Sequence, residues 1–343
     1  MVHTQSIEGQ ESMVDGVHAM EPNPWIGPNG ERMQRLELHL TYTCPERCLF
    51  CSEDHRMEKF KPYPVTWGRV ATVLRQHAKN GVRNIHITGG EPSIHPRFID
   101  VLRLSKKLGM RTSVGTIGTM LSRPDFAEQA LPFLDEALFS IHGPNAEIHN
   151  RMAGREWSFE RVTSAFRLCS QLKPGFGAYV NTVVTRHNVD ALPDTVSMAD
   201  EMGAKLIVVS NTTPEGAAFD QYADLAVPLE KLREVVPRVM KRNPRAIIRF
   251  FGIPVCILGP HSMLSNDLHW DPRVTVEWGS KPGKVVFDGI FSWKPDRKRA
   301  RVEACEKCEW NGVCMGVYEE YSSLWPEHLS ELKPISLDKS APT

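Results

Sequence analysis

Three cysteines near the start of the chain have the spacing of a metal site. Cys44, Cys48 and Cys51 follow a C-x3-C-x2-C pattern, and three thiolates spaced in this way can hold three irons of a cubic [4Fe–4S] cluster. The fourth iron would then have no protein ligand. An open coordination position lets a second molecule bind the metal, whereas a site closed by four protein ligands is structural. The pattern therefore favours a catalytic metal site.

A glycine-rich turn follows these cysteines after about one βα unit. Gly89, Gly90, Glu91 and Pro92 end a run, residues 84–88, that is typical of a strand. Glycine lets the backbone approach a ligand closely, and the Glu91 carboxylate suits an ammonium group. The turn therefore predicts a ligand-binding position beside the cysteines.

Zinc is the alternative metal for the first cysteine group. Together with His55 the three cysteines could form a Cys3His site, because their spacing is also common for zinc. The Gly-Gly-Glu-Pro turn and its place after the cysteines favour the iron–sulfur interpretation.

The cysteines and the turn together resemble the radical S-adenosylmethionine (SAM) superfamily. Phe50 stands just before the third cysteine, where that family usually has an aromatic residue. The resemblance implies that the amino and carboxylate groups of SAM chelate the open iron, and that the turn holds the SAM amino group. It also implies that an electron from a flavodoxin or ferredoxin cleaves SAM, and that the resulting 5′-deoxyadenosyl radical abstracts a hydrogen atom from a substrate carbon.

Residues in the middle of the chain extend the resemblance. The fourth predicted strand and the segment after it match a pattern of many SAM-radical enzymes at Ser140, His142, Gly143, Glu147, His149, Gly154 and Ser158. Asn181 begins the matching stretch of the fifth strand. The resemblance implies that Ser140 and Asn181 hydrogen-bond the ribose or methionyl part of SAM. Hydrogen bonds to neighbouring side chains are the structural alternative for both residues.

One position departs from the family pattern. Ala153 stands where many members have an arginine that can contact the SAM carboxylate. Arg151, Arg155 and Arg186 are the candidates to replace it.

A second cysteine group lies further along the chain. Cys305, Cys308 and Cys314 form a C-x2-C-x5-C pattern, and Cys256 precedes them. Four thiolates saturate one cluster, and the same set suits a zinc ribbon. Taken with the first group, the pattern resembles the SPASM and shorter twitch extensions of the superfamily, which hold auxiliary [4Fe–4S] clusters. Tyr318 occupies the last cysteine position of the full SPASM pattern, so we expect one twitch-like auxiliary cluster with Cys256 as its fourth ligand.

Composition and charge indicate a soluble enzyme. Hydrophobic residues make up 41% of the chain, and 41 basic residues balance 41 acidic ones, which argues against a nucleic-acid substrate. The sequence has no apolar run of membrane-spanning length and no secretory signal, so we expect a cytoplasmic protein. Cysteines in such a chain indicate metal ligands rather than disulfides. Cys169 differs, because it lies on the apolar face of a predicted helix and is expected to pack in the core.

Strand-like and helix-like segments alternate through the middle of the chain. The predicted strands are 36–43, 83–88, 111–115, 136–141, 178–185 and 205–210. The predicted helices are 66–79, 96–108, 123–134, 158–172 and 190–202. Alternation of this kind predicts an α/β fold with a parallel sheet and right-handed crossovers, and the family resemblance implies a partial (β/α)6 barrel. The expected organisation is an irregular arm over 1–35, a radical SAM core over 36–245, an auxiliary-cluster domain over 246–332 and a frayed tail over 333–343.

The predicted function follows from the two cysteine groups. Full ligation of the auxiliary cluster favours electron transfer, which suits oxidation, cyclisation or crosslinking of a peptide or small molecule in natural-product biosynthesis. One alternative is a dehydrogenase or rearrangement enzyme for a sugar, nucleoside or cofactor. Another is a non-enzymatic scaffold with two zinc sites. The sequence does not identify the substrate or the oligomeric state.

Overall fold

The computed structural model describes the backbone of residues 3–5 and the whole of residues 23–335. Its strands are β1 His3–Gln5, β2 Arg35–Thr41, β3 Asn84–Gly89, β4 Arg111–Thr116, β5 Glu136–Ser140, β6 Gly177–Val184, β7 Leu206–Asn211, β8 Ile247–Phe251, β9 Arg273–Lys281, β10 Lys284–Ser292, β11 Arg299–Ala300 and β12 Val317–Tyr318. Its helices are α1 Asp54–Phe60, α2 Trp67–Lys79, α3 Phe98–Lys107, α4 Pro124–Ala130, α5 Ala146–Ala153, α6 Ser158–Leu172, α7 Leu192–Glu201, α8 Ala217–Asp220, α9 Tyr222–Leu225, α10 Leu229–Lys241, α11 Val255–Leu258 and α12 Glu319–Leu324.

One large sheet organises these elements. Strands β2 to β8 lie side by side in chain order and run parallel. On the other side of β2 lies β9, also parallel to it, and β10 and β1 continue the sheet in antiparallel orientation. The predicted α/β class and its six parallel strands are confirmed as β2 to β7. The strands β8, β9 and β10 extend the same sheet beyond them.

The two faces of the sheet differ in chemistry. In β2, Leu36, Leu38 and Leu40 are fully buried and belong to one apolar cluster with residues of α2. The residues between them, Glu37 and His39, point to the opposite face and pair there with charged residues of β9. Successive side chains of a strand alternate between faces, so the helices cover an apolar face while the inner face carries polar groups.

The residues after 245 are continuous with this sheet. Strand β8 pairs with β7, and the β9–β10 hairpin pairs with β2, so the sheet passes through the expected core boundary. Cys169 on α6 is fully buried in the core, which confirms its predicted packing role. Within the described part of the chain, we find no helix long and apolar enough to cross a membrane.

Candidate active site

The first cysteine group lies at the carboxyl end of β2, in the segment 42–53, which we call the cysteine loop. One side of this loop is held by α5, because the backbone amides of Arg47 and Leu49 donate to the carbonyl oxygens of Ala153 and Met152, each at 3.1 Å. Gly154 follows in the left-handed region, with φ +67°, and a Cβ there would overlap the carbonyl oxygen of Arg47. The close approach of the loop explains the glycine at this position.

The other side of the cysteine loop is held by α8 and the residue after it. The amide of Ala217 donates to the carbonyl oxygen of Cys51 at 2.9 Å. The side chain of Gln221 donates to the carbonyl oxygen of Leu49, also at 2.9 Å. The cysteines are therefore positioned by backbone contacts with two separate parts of the chain.

The glycine turn, residues 89–92, lies directly against the start of the cysteine loop. The amides of Gly90 and Glu91 donate to the carbonyl oxygens of Thr41 and Thr43, at 2.8 and 2.9 Å. A Cβ at Gly89 or Gly90 would overlap those same oxygens. Glycine is therefore required here for the turn to reach the loop, and the turn and the cysteines are brought together as one site.

The carboxylate of Glu91 is engaged inside the fold. It is fully buried and accepts hydrogen bonds from the Thr116 hydroxyl at 2.8 Å, from the amide of Ile117 at 2.8 Å and from both the amide and the hydroxyl of Ser93. Burial raises the pKa of this carboxyl, and the donors oppose that effect. Glu91 thus ties the glycine turn to the end of β4.

A second buried carboxyl, that of Glu46, lies between the first two cysteines. It accepts a hydrogen bond from the hydroxyl of Ser158 and lies 3.4 Å from the sulfur of Cys48. Ser158 in turn accepts from Nε2 of His149 at 2.8 Å, because Nδ1 of His149 accepts from the amide of His142 at 3.0 Å. This chain connects three residues of the fourth-strand pattern to the cysteine loop. Sequence analysis did not single out Glu46.

The remaining predicted SAM contacts lie along the same edge of the sheet. Ser140 ends β5 and pairs with Asn181, which lies in the middle of β6, and both are partly buried. The side-chain oxygen of Asn181 accepts a hydrogen bond from Ser210 at 2.7 Å. The ring of Phe50 packs edge-on against His142, with 4.6 Å between ring centroids. Phe50 and Ser140 therefore lie at the carboxyl ends of parallel strands, where ligands bind in such folds, and Asn181 lies level with Ser140 on the next strand.

The three candidate arginines occupy different places. Arg155 contacts the cysteine loop through a hydrogen bond from its Nε to the carbonyl oxygen of Pro45 at 2.8 Å. Arg151 donates to His187, and Arg186 lies over the ring of Trp325. Of the three, Arg155 is the one that the structure holds against the loop.

The thiols of the first group are partly buried and lie close enough together to influence one another. Burial raises the pKa of Cys44 and of Cys51 to about 12. Burial also raises the pKa of Cys48, and the negative charges of Glu46, Cys51 and Cys44 raise it further. Thiols that are this costly to ionise become good ligands only when a bound cation compensates their charge. The donor set therefore fits a metal cluster.

The arrangement of the sulfurs does not match a single zinc ion. A tetrahedral zinc site with Zn–S bonds of about 2.3 Å places its sulfurs about 3.8 Å apart. Among the described residues, only His39, Glu53 and Glu277 offer three ligand atoms within 4.8 Å of one another. His55, the fourth ligand of the zinc alternative, is exposed and pairs with Asp220 at 2.7 Å. Wider spacing suits a cluster in which each thiolate binds a different iron.

The group of His39, Glu53 and Glu277 is an ion network that sequence analysis missed. Nδ1 of His39 lies 3.2 Å from Glu53, and its Nε2 lies 3.5 Å from Glu277. Arg56 completes the network, 2.8 Å from Glu277, and thereby supplies a positive charge that would repel a metal cation. Because Glu53 ends the cysteine loop, the network fastens this loop to both β2 and β9.

The second cysteine group forms a pocket lined by Cys256, Cys305, Cys308 and Cys314. Cys256 comes from α11, and the other three come from the turns between β11 and β12. The sulfur of Cys314 accepts hydrogen bonds from the amides of Val255 and Gly316, at 3.5 and 3.4 Å. The four cysteines that the spacing suggested are thus brought to one place, and their donor set fits a fully ligated cluster.

A short segment after β7 connects the two cysteine groups. Its Ala217 contacts Cys51, as described above, and the hydroxyl of its Thr213 lies 3.1 Å from the hydroxyl of Tyr318. Tyr318 follows Gly316, whose amide donates to the sulfur of Cys314. The segment 213–217, which we call the bridge, therefore contacts both groups or their immediate neighbours.

Comparison with known proteins identifies relatives of the part that carries the first site. Residues 38–199 match the family model of the radical SAM superfamily. The PqqA peptide cyclase of Rhodopseudomonas palustris is 28% identical over 210 residues, which cover 61% of this chain and 54% of that protein. The PqqA peptide cyclase of Gluconobacter oxydans is 27% identical over 199 residues, which cover 58% and 55%. The chain therefore spans about half the length of these curated relatives.

Solved structures share the fold. Streptococcus suis SuiB bound to S-adenosylmethionine superposes with a TM-score of 0.56 at 16% identity, covering 90% of this chain and 77% of that one. SuiB bound to its precursor peptide SuiA gives 0.56 at 15%, covering 71% and 57%. The anSMEcpe structure with bound AdoMet and the Cp18Cys peptide gives 0.52 at 18%, covering 63% of each chain. These likenesses concern the fold alone.

Proposed function

We propose that this chain, which belongs to the radical SAM superfamily, binds SAM at a [4Fe–4S] cluster held by Cys44, Cys48 and Cys51. When bound, the cluster and SAM supply the chemistry, in which one-electron reduction splits SAM into methionine and a 5′-deoxyadenosyl radical that takes a hydrogen atom from a substrate carbon. The observation that carries the proposal is the direct hydrogen bonding of the glycine turn to the start of the cysteine loop. It supports the proposal because the turn and the cysteine loop belong to one site.

The residues around the cysteines position SAM in this proposal. The Glu91 carboxylate already accepts several internal hydrogen bonds, so the backbone of the glycine turn is the group left to receive the SAM ammonium. Ser140 and Asn181 lie side by side and offer a hydroxyl and an amide to the ribose. Arg155, held against the cysteine loop, is the candidate for the SAM carboxylate. Ordered donors of this kind orient a cofactor without needing to reorganise.

The second cysteine group holds one auxiliary [4Fe–4S] cluster in the same proposal. Four thiols line one pocket, which leaves no iron open for a substrate and favours electron transfer. The bridge supports this role, because it contacts the neighbourhood of both groups through Cys51 and Tyr318. A flavodoxin or ferredoxin as electron donor and a cytoplasmic location belong to the same proposal.

A peptide is the substrate that the comparisons favour. The matched relatives are named PqqA peptide cyclase, and SuiB was solved with a precursor peptide. An auxiliary cluster that accepts an electron suits net oxidation after hydrogen abstraction. We therefore propose oxidation, cyclisation or crosslinking of a peptide as the reaction.

The experiment that tests this function measures SAM cleavage. Anaerobically reconstituted protein with SAM and a strong reductant should form 5′-deoxyadenosine, and Cys48→Ala should abolish this product because the cluster loses one of its anchors. Cys169→Ala is the matched control, since this cysteine is buried in the core and belongs to neither group. Undiminished formation of 5′-deoxyadenosine by the Cys48→Ala protein would contradict the proposal. Zinc in place of iron and sulfide would establish the scaffold alternative instead.

A further inference from the structure

The last described residues of the chain lie on the second cysteine pocket. Leu332, Lys333 and Pro334 line it together with the four cysteines. Leu332 is only 5% exposed and packs in the main core, so the segment is anchored where it reaches the pocket. We call residues 332–335 the strap. The frayed tail expected from the sequence covers 333–343, of which 336–343 lie outside the described residues.

The strap supplies a hydrogen-bond donor to one of the four sulfurs. The amide of Ile335 donates to Sγ of Cys308 at 3.4 Å, and Lys333 lines the same pocket as Cys256. The carbonyl oxygen of Ile335 accepts from the amide of Glu309 at 2.9 Å, which fixes the strap in register with the residue after Cys308. The donors to Cys314 come from other segments, so the hydrogen bonding of the strap to sulfur is separate from theirs.

Arg233 connects the segment that leads into the strap with the wall of the pocket. Arg233, on α10, donates to the carbonyl oxygen of Glu331 at 2.5 Å and to the carbonyl oxygen of Cys256 at 3.4 Å. It also lies 3.8 Å from the carboxylate of Glu331. The same guanidinium therefore holds both the residue that precedes the strap and the backbone of one cysteine.

We propose that the strap positions the amide of Ile335 on a sulfur ligand of the auxiliary cluster, and that it thereby raises the reduction potential of this cluster and limits solvent access to it. The proposal rests on the proposed function, because it requires a cluster at the second cysteine group. Hydrogen bonds to sulfur and solvent exposure are the protein's means of setting cluster potentials. A donor stabilises the extra negative charge of the reduced cluster, so the Ile335 amide favours reduction.

The first test separates the effect of the Ile335 amide on the reduction potential from the effect of the rest of the strap. In the full chain with Cys44, Cys48 and Cys51 all changed to Ala, only the auxiliary cluster contributes to a potentiometric titration followed by electron paramagnetic resonance. Ile335→Pro removes the amide donor, whereas Ile335→Leu keeps it and is the matched control. We expect a lower potential for the proline variant and the parent potential for the leucine variant. Equal potentials in the two variants would overturn the proposal.

A backbone ester makes the same test without the proline ring. Replacement of Ile335 by its α-hydroxy analogue exchanges the amide nitrogen for oxygen, so the donor is lost while the side chain stays. The ester protein should have a lowered reduction potential, as the proline variant does. If the proline variant fails to hold a cluster, the ester protein alone tests the effect of the Ile335 amide. An unchanged potential in the ester protein overturns the proposal.

The second test concerns solvent access. Transfer of iron to a ferrous chelator should be several-fold faster from a chain ending at residue 331 than from one ending at residue 335, because the first lacks the strap. Arg233→Gln should also release iron faster, whereas Arg238→Gln on the same helix, which pairs with Glu234 at the surface, should not. Equal rates of iron release from the two chain lengths would overturn the role of the strap in limiting solvent access. A protein that holds only zinc would overturn the proposed function together with this inference, whereas an iron–sulfur protein with unchanged potentials overturns the inference alone.

Discussion

At the scale of single residues, two buried carboxyl groups hold the candidate active site together. Glu46 and Glu91 are 2% and 0% exposed, and burial raises the pKa of both, that of Glu46 to about 7. Each accepts hydrogen bonds from another element, Glu46 from Ser158 on α6 and Glu91 from Thr116 on β4. Acidic residues beside the cysteines therefore fix the geometry of the loop and the turn.

Removal of the Glu91 carboxylate should destabilise the protein. Glu91→Ala would leave the buried donors of Thr116, Ile117 and Ser93 without their acceptor, at a cost of about 2–4 kcal/mol in the free energy of unfolding. Urea unfolding of the metal-free protein measures this cost, and Glu128→Ala, at an exposed position, should change it by less than about 0.5 kcal/mol. A variant of unchanged stability that has lost SAM affinity would show instead that the carboxylate meets SAM directly.

The cysteines and the glycine turn could be predicted from sequence because their members are local and their spacing reflects ligand geometry. The role of Glu46 could not be predicted, because its partner Ser158 lies 112 residues away. The direction of the Glu91 side chain could not be predicted from the motif either, because it depends on donors at the end of β4 that only the folded sheet brings near. Motif spacing thus identifies ligands, whereas tertiary contacts decide which polar residues support them.

At the scale of elements, the β9–β10 hairpin is part of the site as well as of the sheet. Strand β9 pairs with β2 and carries Glu277, which lies beside His39 and Arg56. Because Glu53 of the cysteine loop joins the same network, the hairpin helps to hold this loop. An element outside the predicted six βα units therefore stabilises the first cysteine group.

The network predicts a loss of stability at alkaline pH. Burial opposes a charge on His39, but the carboxylates of Glu53 and Glu277 outweigh it and raise its pKa from 6.5 to about 9. The folded protein then holds a proton that the unfolded chain releases, so this stabilisation is full below pH 6.5 and is lost as the pH rises through about 9. The contribution of the His39 proton to the free energy of unfolding is at most about 3 kcal/mol. Denaturant unfolding of the metal-free protein across this range should show the decline.

His39→Gln is the control for the pH prediction, because it removes the titrating group and keeps a polar side chain of similar reach. Its unfolding free energy should fall less steeply between pH 6.5 and 9 than that of the parent protein. Identical slopes for the two proteins would show that another group causes the decline.

The helices and strands of the first part of the chain follow their sequence signals closely. Helix α6 spans the predicted residues 158–172, and the six predicted strands are present. The later elements gave weaker signals. Helix α10 contains Pro237, and α11, β11 and β12 are at most four residues long. Elements this short are stabilised by their contacts rather than by their own pattern.

At the scale of the whole molecule, the two cysteine groups are connected through the bridge and Tyr318. Tyr318 is 3% exposed, its hydroxyl lies beside Thr213 and the guanidinium of Arg299 lies 5.0 Å from its ring. The residue at the last cysteine position of the full SPASM pattern is therefore a packing residue between the bridge and Arg299 of β11. Thr213 and Tyr318 are 105 residues apart in sequence, so this junction had no local signal.

This arrangement predicts that the two groups bind their clusters separately. They lie on different loops and share no ligand, so full loading should give about eight irons per chain, four at each group. Changing Cys44, Cys48 and Cys51 to Ala should therefore remove about half the iron and leave an iron–sulfur absorption band. Iron and sulfide assays with absorption spectra measure both quantities. Complete loss of iron in this variant would contradict separate binding.

Cys256 decides how the second cluster is ligated. It is the one proposed ligand that comes from outside the Cys305–Cys314 region, and it reaches the pocket from the first turn of α11. In the background without the first group, Cys256→Ala should lower the iron content well below that of the parent, because a cluster with one unprotected iron is lost more readily to solvent. Cys169→Ala in the same background should retain the parent content, since this thiol is buried in the core. If Cys256→Ala keeps its cluster intact, the fourth iron needs no thiolate there, and direct binding of substrate to that iron becomes the better mechanism for the extension.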